Sequence, residues 1–210
     1  IFTGSFSNLK GDKNFENQKF LEKFNFGLGI NAAVTDKFSI NSSFTFAITD
    51  LVSPPVNSAF GSAASGGIPS VFANLYYTPR SIDLANLPFE NPIDGSNVYY
   101  RSNNDQMNPF WISKNLIDAS NVNRFFNSTS LNYDFNDNFS LTYRLGLDTY
   151  TESRESRYNK GGGGAVSTLI NSGFYRTVEI QNTIWNQDLI LNYKRQLSEK
   201  IGMSALLGGN

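Results

Sequence analysis

The chain has 210 residues with a formal net charge of −1, and it contains neither cysteine nor histidine. These absences exclude disulfides, thiolate metal sites and every histidine-based catalytic triad, and the balanced charge gives no basic surface for nucleic acid. No run approaches the roughly 18 apolar residues of a membrane-spanning helix. A strand of a membrane β-barrel, by contrast, needs an apolar side chain only at every second position.

The first clear pattern is a pair of alternating segments on either side of a short turn. Apart from Ser42, apolar side chains occupy the even positions of 24–34 and of 38–48, with small or polar side chains between them. Successive strand residues point to opposite faces, so each segment predicts a strand with one apolar face, expected to contact lipid, and one polar face. Both segments reach the roughly 9–11 residues that span a bilayer. Residues 1–9 resemble the interior of a strand, and we expect the chain to be a piece of a longer protein.

Two later segments, 129–135 and 139–148, alternate in the same way and are joined by a short polar turn. From 178 to 193 the phase of the alternation changes, which indicates either a bulge near Asn186 or a strand that begins later. A last alternating segment begins at Ile201, so the sequence predicts about seven strands. The predicted antiparallel pairs are 22–34 with 37–50, 129–135 with 139–148, and 180–195 with 200–207.

Short and long connections follow one another along the chain. Short polar turns join the predicted pairs, and the long connections are 10–19, 52–121 and 152–176. Long loops without secondary structure are unusual in a compact soluble domain, whereas outer-membrane barrels have short periplasmic turns and long extracellular loops. The predicted fold is therefore all-β: an antiparallel up-and-down transmembrane β-barrel segment over residues 1–210, with 52–121 as a long extracellular loop.

The 52–121 loop contains aromatic and arginine side chains that suit contact with a sugar, a peptide or a protein partner. The alternative is a solvated loop packed on its neighbours, and 152–157 is interpreted as a solvated loop stem. The carboxylates of the long loop lack the spacing of a calcium loop, and the glycine run at 161–164 lacks the lysine of a phosphate-binding loop. We therefore predict no metal, cofactor or catalytic site. The candidate substrate or partner contacts are Tyr76, Tyr77, Arg80, Tyr99, Tyr100, Arg101 and Trp111.

The order of several motifs resembles the barrel of SusC/RagA-type TonB-dependent outer-membrane transporters of Gram-negative bacteria. Asn-Pro-Phe-Trp at 108–111 ends the long loop, and a strand, a tight turn and a strand ending in Gly-Leu-Asp at 146–148 follow it. The stretch 183–193, and then 206–209, is similar to the next hairpin of that family. No single one of these motifs is diagnostic, and the resemblance depends on their order and spacing.

The resemblance implies a barrel of about 22 strands plugged by an N-terminal domain, powered by TonB and covered by a SusD-like surface lipoprotein that acts as a lid. It implies import of oligosaccharides or peptides and no enzymatic activity. The plug and the TonB-binding segment are not in this stretch of sequence, so TonB would act through parts that this chain lacks. One alternative is a passive porin or protein-secretion barrel. Another is a soluble or surface-anchored β-rich adhesin, in which the apolar faces pack between two sheets.

Overall fold

The computed structural model describes residues 1–9, 21–56, 69–101, 106–162 and 168–210. The strands in these ranges are β1 (Phe2–Leu9), β2 (Leu21–Thr35), β3 (Phe38–Ser53), β4 (Leu116–Asp134), β5 (Phe139–Tyr158), β6 (Phe174–Ser198) and β7 (Ile201–Gly209). The helices are α1 (Val71–Tyr77), α2 (Pro109–Asn115) and α3 (Thr168–Ser172). In the described parts of the chain, no helix has the length and apolar character needed to cross a membrane. The predicted 10–19 connection lies outside the described residues, as do parts of the 52–121 loop and of the 161–164 glycine run.

The strands form one antiparallel up-and-down sheet in the order β1-β2-β3-β4-β5-β6-β7, open within the described residues and with β1 and β7 at its edges. The three pairings predicted from the alternation are confirmed. Short polar turns determine them locally: the side-chain oxygen of Asn136 accepts hydrogen bonds from the backbone N–H groups of Asn138 and Phe139, at 2.9 and 3.0 Å. Such bonds stabilise a tight reversal, and a tight reversal makes the flanking strands antiparallel neighbours.

Three strands extend further than the sequence predicted. β4 begins at Leu116, so 116–121 belong to the sheet and not to the 52–121 loop. β5 continues to Tyr158 and β6 begins at Phe174, which shortens the 152–176 connection at both ends.

The extra strand lengths could not be predicted from alternation because polar side chains lie on both of their faces. Polar pairs between neighbouring strands stabilise them instead. Ser120 Oγ donates to Glu152 Oε1 at 3.0 Å, and Ser153 Oγ donates to Glu179 Oε1 at 2.6 Å. Side-chain pairs of this kind stabilise a ladder without an apolar period.

Both interpretations of the phase change in β6 are wrong. The register between β5 and β6 runs without a shift from the Tyr158–Phe174 pair to the Phe139–Tyr193 pair, so the backbone has no bulge at Asn186 and the strand does not begin late. The phase changes because apolar side chains occur on one face in the first half of β6 and on the other face in the second half.

The register also assigns every strand residue to a face, because directly opposed residues of an antiparallel pair point to the same side. Leu28, Phe44, Asn127, Leu147 and Trp185 oppose one another in turn from β2 to β6 and define what we call the apolar face. The predicted lipid-facing residues on this face are Phe24, Phe26, Leu28, Ile30, Ile40, Phe44, Phe46, Leu141, Tyr143 and Leu145. The predicted lumen-facing residues on the opposite, polar face are Asn31, Asn41, Ser43, Thr45, Arg144 and Asp148. The predicted division into two faces is thus confirmed.

The hydrophobic core lies at one end of the sheet and not beneath it. It consists of Val71, Met107, Trp111, Ile112, Leu116, Tyr158 and Ile170, with Phe89 and Phe174 packed against it. Several of the core residues lie on two short helices that are stabilised by capping. Ser70 caps α1, and Asn108 caps α2 with Pro109 in the first turn. On the apolar face, Asn127 is the only described residue that is buried.

We predict that Trp111→Ala destabilises this core by about 3–5 kcal/mol, because it removes a fully buried indole that the surrounding side chains cannot replace. The measurement is hydrogen exchange of the amides in 106–116, whose free energy of opening should fall by that amount. The control is Tyr76→Ala, which alters an exposed ring of the same loop and should change the opening free energy by less than about 0.5 kcal/mol. Equal effects of the two substitutions would contradict the assignment of the core.

Candidate functional site

The described loop residues at the core end of the sheet pack together into one unit, which we call the cap (69–101, 106–115, 159–162 and 168–173). A backbone hydrogen bond joins its two loops: the Asn97 N–H donates to the Gly161 carbonyl at 2.7 Å. Within the second loop, the Gly161 N–H donates to the Asn171 carbonyl at 3.2 Å. Gly161 has a φ of 104°, and a Cβ there would lie 3.0 Å from the Cα of Ser96. A side chain at 161 would therefore force the two loops apart.

Inside the cap, α1 is joined to the segment that precedes α2 by a buried asparagine. Asn74 Oδ1 accepts from the Met107 N–H at 2.7 Å, while its Nδ2 donates to the Ser70 carbonyl at 2.8 Å. Asn74 and Met107 are both completely buried. Because a buried polar group is costly when unpaired, these bonds fix α1 against the rest of the cap.

The cap is attached on the polar side of the sheet. Leu116, Tyr158 and Phe174 oppose one another in the register and lie on the polar face, and all three pack in the core of the cap. The rings of Tyr158 and Phe174 are 5.5 Å apart between centroids. The cap therefore overhangs the polar face, and none of its described residues packs on the apolar face.

Beneath the cap, the end of the polar face forms an open recess of about 480 Å³. Its charged groups and its tyrosine hydroxyl come from Asp118, Arg154, Glu155, Tyr158 and Arg176, and serines of neighbouring positions add further hydroxyls. The Tyr158 hydroxyl donates to Asp118 Oδ1 at 2.9 Å. The recess can hold a polar ligand through charge-assisted hydrogen bonds, which are the strongest of the non-covalent polar contacts.

The two arginines of the recess differ in their partners. Arg154 donates to both oxygens of Glu152, at 2.6 and 3.0 Å, and Glu152 also accepts from Ser120. Arg176 is exposed and forms no ion pair with any described residue. Arg176 is therefore the group of the recess that is available to an anionic part of a ligand.

A second ion pair lies on the polar face, nearer to the short turns than the recess is. Arg124 donates to both carboxylate oxygens of Asp148, at 2.8 and 2.5 Å, in the bidentate arrangement typical of arginine. Both side chains lie on the polar face, since Arg124 opposes Tyr150 and Asp148 opposes Phe126. The polar face thus presents paired charges to the medium, as expected of a surface in contact with water.

Of the predicted contact residues, Tyr76 and Tyr77 lie on α1 and Arg80 lies just beyond it. Tyr76 is 86% exposed, and its ring meets that of Tyr77 edge to face with centroids 5.7 Å apart. Phe72, one turn before Tyr76, is 78% exposed. The side of α1 that faces away from the core is therefore apolar and aromatic.

Tyr99 and Tyr100 form a second aromatic pair, with centroids 4.5 Å apart and an edge-to-face geometry. The hydroxyls of Tyr99 and Thr78 are hydrogen-bonded to one another, which links this pair to the end of α1. Burial raises the pKa of Tyr99, and the bond to Thr78 opposes that shift in part. The Tyr100 hydroxyl donates to Gln106 Oε1 at 3.1 Å, and Arg101, next in the chain, is exposed.

Trp111, expected among the contact residues, is completely buried, and its indole N–H donates to the Gly95 carbonyl at 2.9 Å. As it lies here, Trp111 stabilises the cap and presents no surface to a ligand. The residues that sequence analysis missed are those of the recess. Arg154 was placed in a solvated loop stem, and Arg176 at the end of a loop, because neither lies in an alternating segment.

The described residues contain no cluster of three or more acidic side chains arranged to hold a metal ion. Comparison of the sequence with models of known protein families gives no match, and comparison with curated proteins gives no significant match.

Proposed function

We propose that this chain is part of the β-barrel of an outer-membrane, TonB-dependent importer of oligosaccharide or peptide nutrients that works with a SusD-like surface lipoprotein. The observation that carries the proposal is the apolar face of the sheet, on which no second layer packs within the described residues. A water-soluble protein covers a face of this kind with a second layer, because apolar area in water is unfavourable. In a membrane barrel, lipid is the cover.

The dimensions of the apolar face support a bilayer as its environment. On β3 the face carries no charged side chain from Phe38 to Ile48, which is about 34 Å along the strand at about 3.4 Å per residue. A strand tilted by about 45° converts this to a height of about 25 Å, the height of the apolar band of outer-membrane barrels. Aromatic pairs mark the turn end of the band, with the rings of Phe139 and Tyr193 4.6 Å apart.

The polar side chains within the apolar face also support contact with lipid, because they are paired with one another. Ser42 and Thr129 share a hydrogen bond of 2.6 Å, and Asn127 Nδ2 donates to the Ser43 carbonyl at 3.1 Å. The Tyr143 hydroxyl donates to Gln187 Oε1 at 2.8 Å. Such internal pairing is needed where no water is available to bond polar groups.

Transport in particular is supported by the polar face, the cap and the resemblance to SusC-like proteins. A polar inner face with paired charges suits a lumen, and a cap that overhangs it suits control of entry. In the proposed orientation the turns at 35–37, 136–138 and 196–200 face the periplasm and the cap faces outward, since the short turns of such barrels are periplasmic. We place the seven strands in a closed barrel of about 22 strands, as in the family that the sequence resembles, because closure leaves no exposed edge.

The alternative functions require different partners or coverings for the two faces of the sheet. A passive porin or a secretion barrel shares the lipid-facing side but needs neither TonB nor a lid. A soluble adhesin needs a second layer over the apolar face, and within the described residues the cap packs on the opposite side of the sheet.

We predict that Phe44→Arg destabilises the protein in lipid by about 2–4 kcal/mol, because Phe44 lies near the middle of the apolar band. The matched control is the adjacent Ser43→Arg, which places the same charge on the polar face and should cost much less. The measurement is the free energy of unfolding in lipid vesicles by denaturant titration. Equal costs for the two variants would show that the two faces are not lipid and lumen.

We predict that the double variant Phe72→Ala and Tyr76→Ala weakens association with the lid about tenfold, because it removes two exposed aromatic side chains from one side of α1. Co-purification with the SusD-like lipoprotein and uptake of labelled oligosaccharide or peptide are the measurements. Ile93→Ala is the control, since it shortens an exposed apolar side chain elsewhere in the cap. Unchanged lid binding and unchanged uptake in the double variant would refute this role of α1.

A further inference from the structure

A single row of the register crosses six strands on the apolar face and contains three carboxylates. Its members, from β1 to β6, are Asn8, Glu22, Asp50, Asn121, Ser153 and Glu179, each opposed to the next. We call this line of residues the acidic row. The sequence gives no sign of it, because its members lie in six different strands.

Each carboxylate of the acidic row accepts a hydrogen bond from a neutral neighbour in the same row. Asn8 Nδ2 donates to Glu22 Oε1 at 3.0 Å, the Asn121 amide donates to Asp50, and Ser153 Oγ donates to Glu179. The ion pairs of the described residues involve other acidic groups, so none of these three carboxylates has a described cation as partner. A carboxylate without such a partner is favoured in contact with water.

The row next to the acidic row, toward the short turns, is neutral: Phe24, Ile48, Asn123, Thr151 and Gln181. From there to the aromatic pair at Phe139 and Tyr193, no described residue of the apolar face has a charged side chain. The change from a charge-free surface to three carboxylates without a described cation partner therefore occurs between two adjacent rows of the apolar face, two residues apart along each strand.

We infer that the acidic row marks the extracellular boundary of the membrane hydrocarbon, an inference that rests on the proposed membrane location. A charged side chain inside hydrocarbon costs several kcal/mol, so three carboxylates in one row, none with a described cation as partner, prevent the bilayer from rising above it. The apolar side chains of the neighbouring row, such as Ile48 and Phe24, favour lipid up to that level. Beyond Ser153, β5 continues to Tyr158, which places the core of the cap about 12 Å above the boundary at a strand tilt of about 45°.

The experiment uses β4, whose apolar-face residues at this level are neutral, so the probes replace none of the three carboxylates; the label at 121 removes the hydrogen bond to Asp50. The chain has no cysteine, and single cysteines at Phe125, Asn123, Asn121 and Ala119 can each carry a nitroxide label. In lipid vesicles, frequent collision of the nitroxide with oxygen shows that the label lies in hydrocarbon. Frequent collision with a water-soluble nickel chelate shows that the label is exposed to water. Labels at 125 and 123 should favour oxygen, and labels at 121 and 119 should favour nickel. Labels at Val122 and Ser120, on the polar face, are controls that should favour nickel.

The outcomes distinguish the boundary from the membrane location. A crossover between 123 and 121 supports the boundary. A crossover between 125 and 123 or between 121 and 119, or oxygen preference at all four positions, overturns the boundary while leaving the membrane location intact. Nickel access at all four positions overturns both. In the variant Glu22→Gln, Asp50→Asn, Glu179→Gln, the label at 121 should change from nickel to oxygen preference. No change at 121 would show that the carboxylates do not determine the boundary.

Discussion

The antiparallel register from β2 to β6, which is continuous away from the turns, is the constraint on which the other features of this structure depend. Side chains alternate strictly along a strand, so a shift of one residue anywhere in this ladder would move every residue beyond it to the opposite face. The register shifts that do occur lie beside the turns, at Ala33–Thr35 and Gln196–Ser198. The lateral rows of the sheet, including the one that contains Phe44 and the one that contains Asp50, are consequences of that continuity.

The two ends of the sheet differ in structure because only one of them carries the cap. At the turn end the strands are joined by short polar reversals, and at the cap end the chain buries Trp111, Met107 and Ile112 against the polar face. A compact core at this position covers the cap end of the polar face, and no described part of the cap packs on the apolar face. The combination explains why such long strands coexist with so little buried apolar area, and it is the arrangement that a barrel wall in lipid requires.

The hairpins could be predicted from the sequence because alternation and turn chemistry are local and agree with each other. The parts of β4 to β6 nearest the cap could not be predicted in this way. Residues such as Ser120 and Ser153 are hydrogen-bonded there to partners about 30 residues away in the chain. The recess was missed for the same reason: Asp118 and Arg176 come together only through the register. The burial of Trp111 depends on the packing of two loops, which leaves no periodic signal in either.

The two tryptophans of the chain test most directly whether the apolar face contacts lipid. Trp185 lies on that face and is 57% exposed, whereas Trp111 is buried in the cap. Fluorescence should be measured in vesicles of lipid brominated along the acyl chain, with Trp111→Phe and Trp185→Phe leaving one indole each. Strong quenching of Trp185 and little quenching of Trp111 is the predicted result. An unquenched Trp185 that is instead accessible to acrylamide in water would contradict the account.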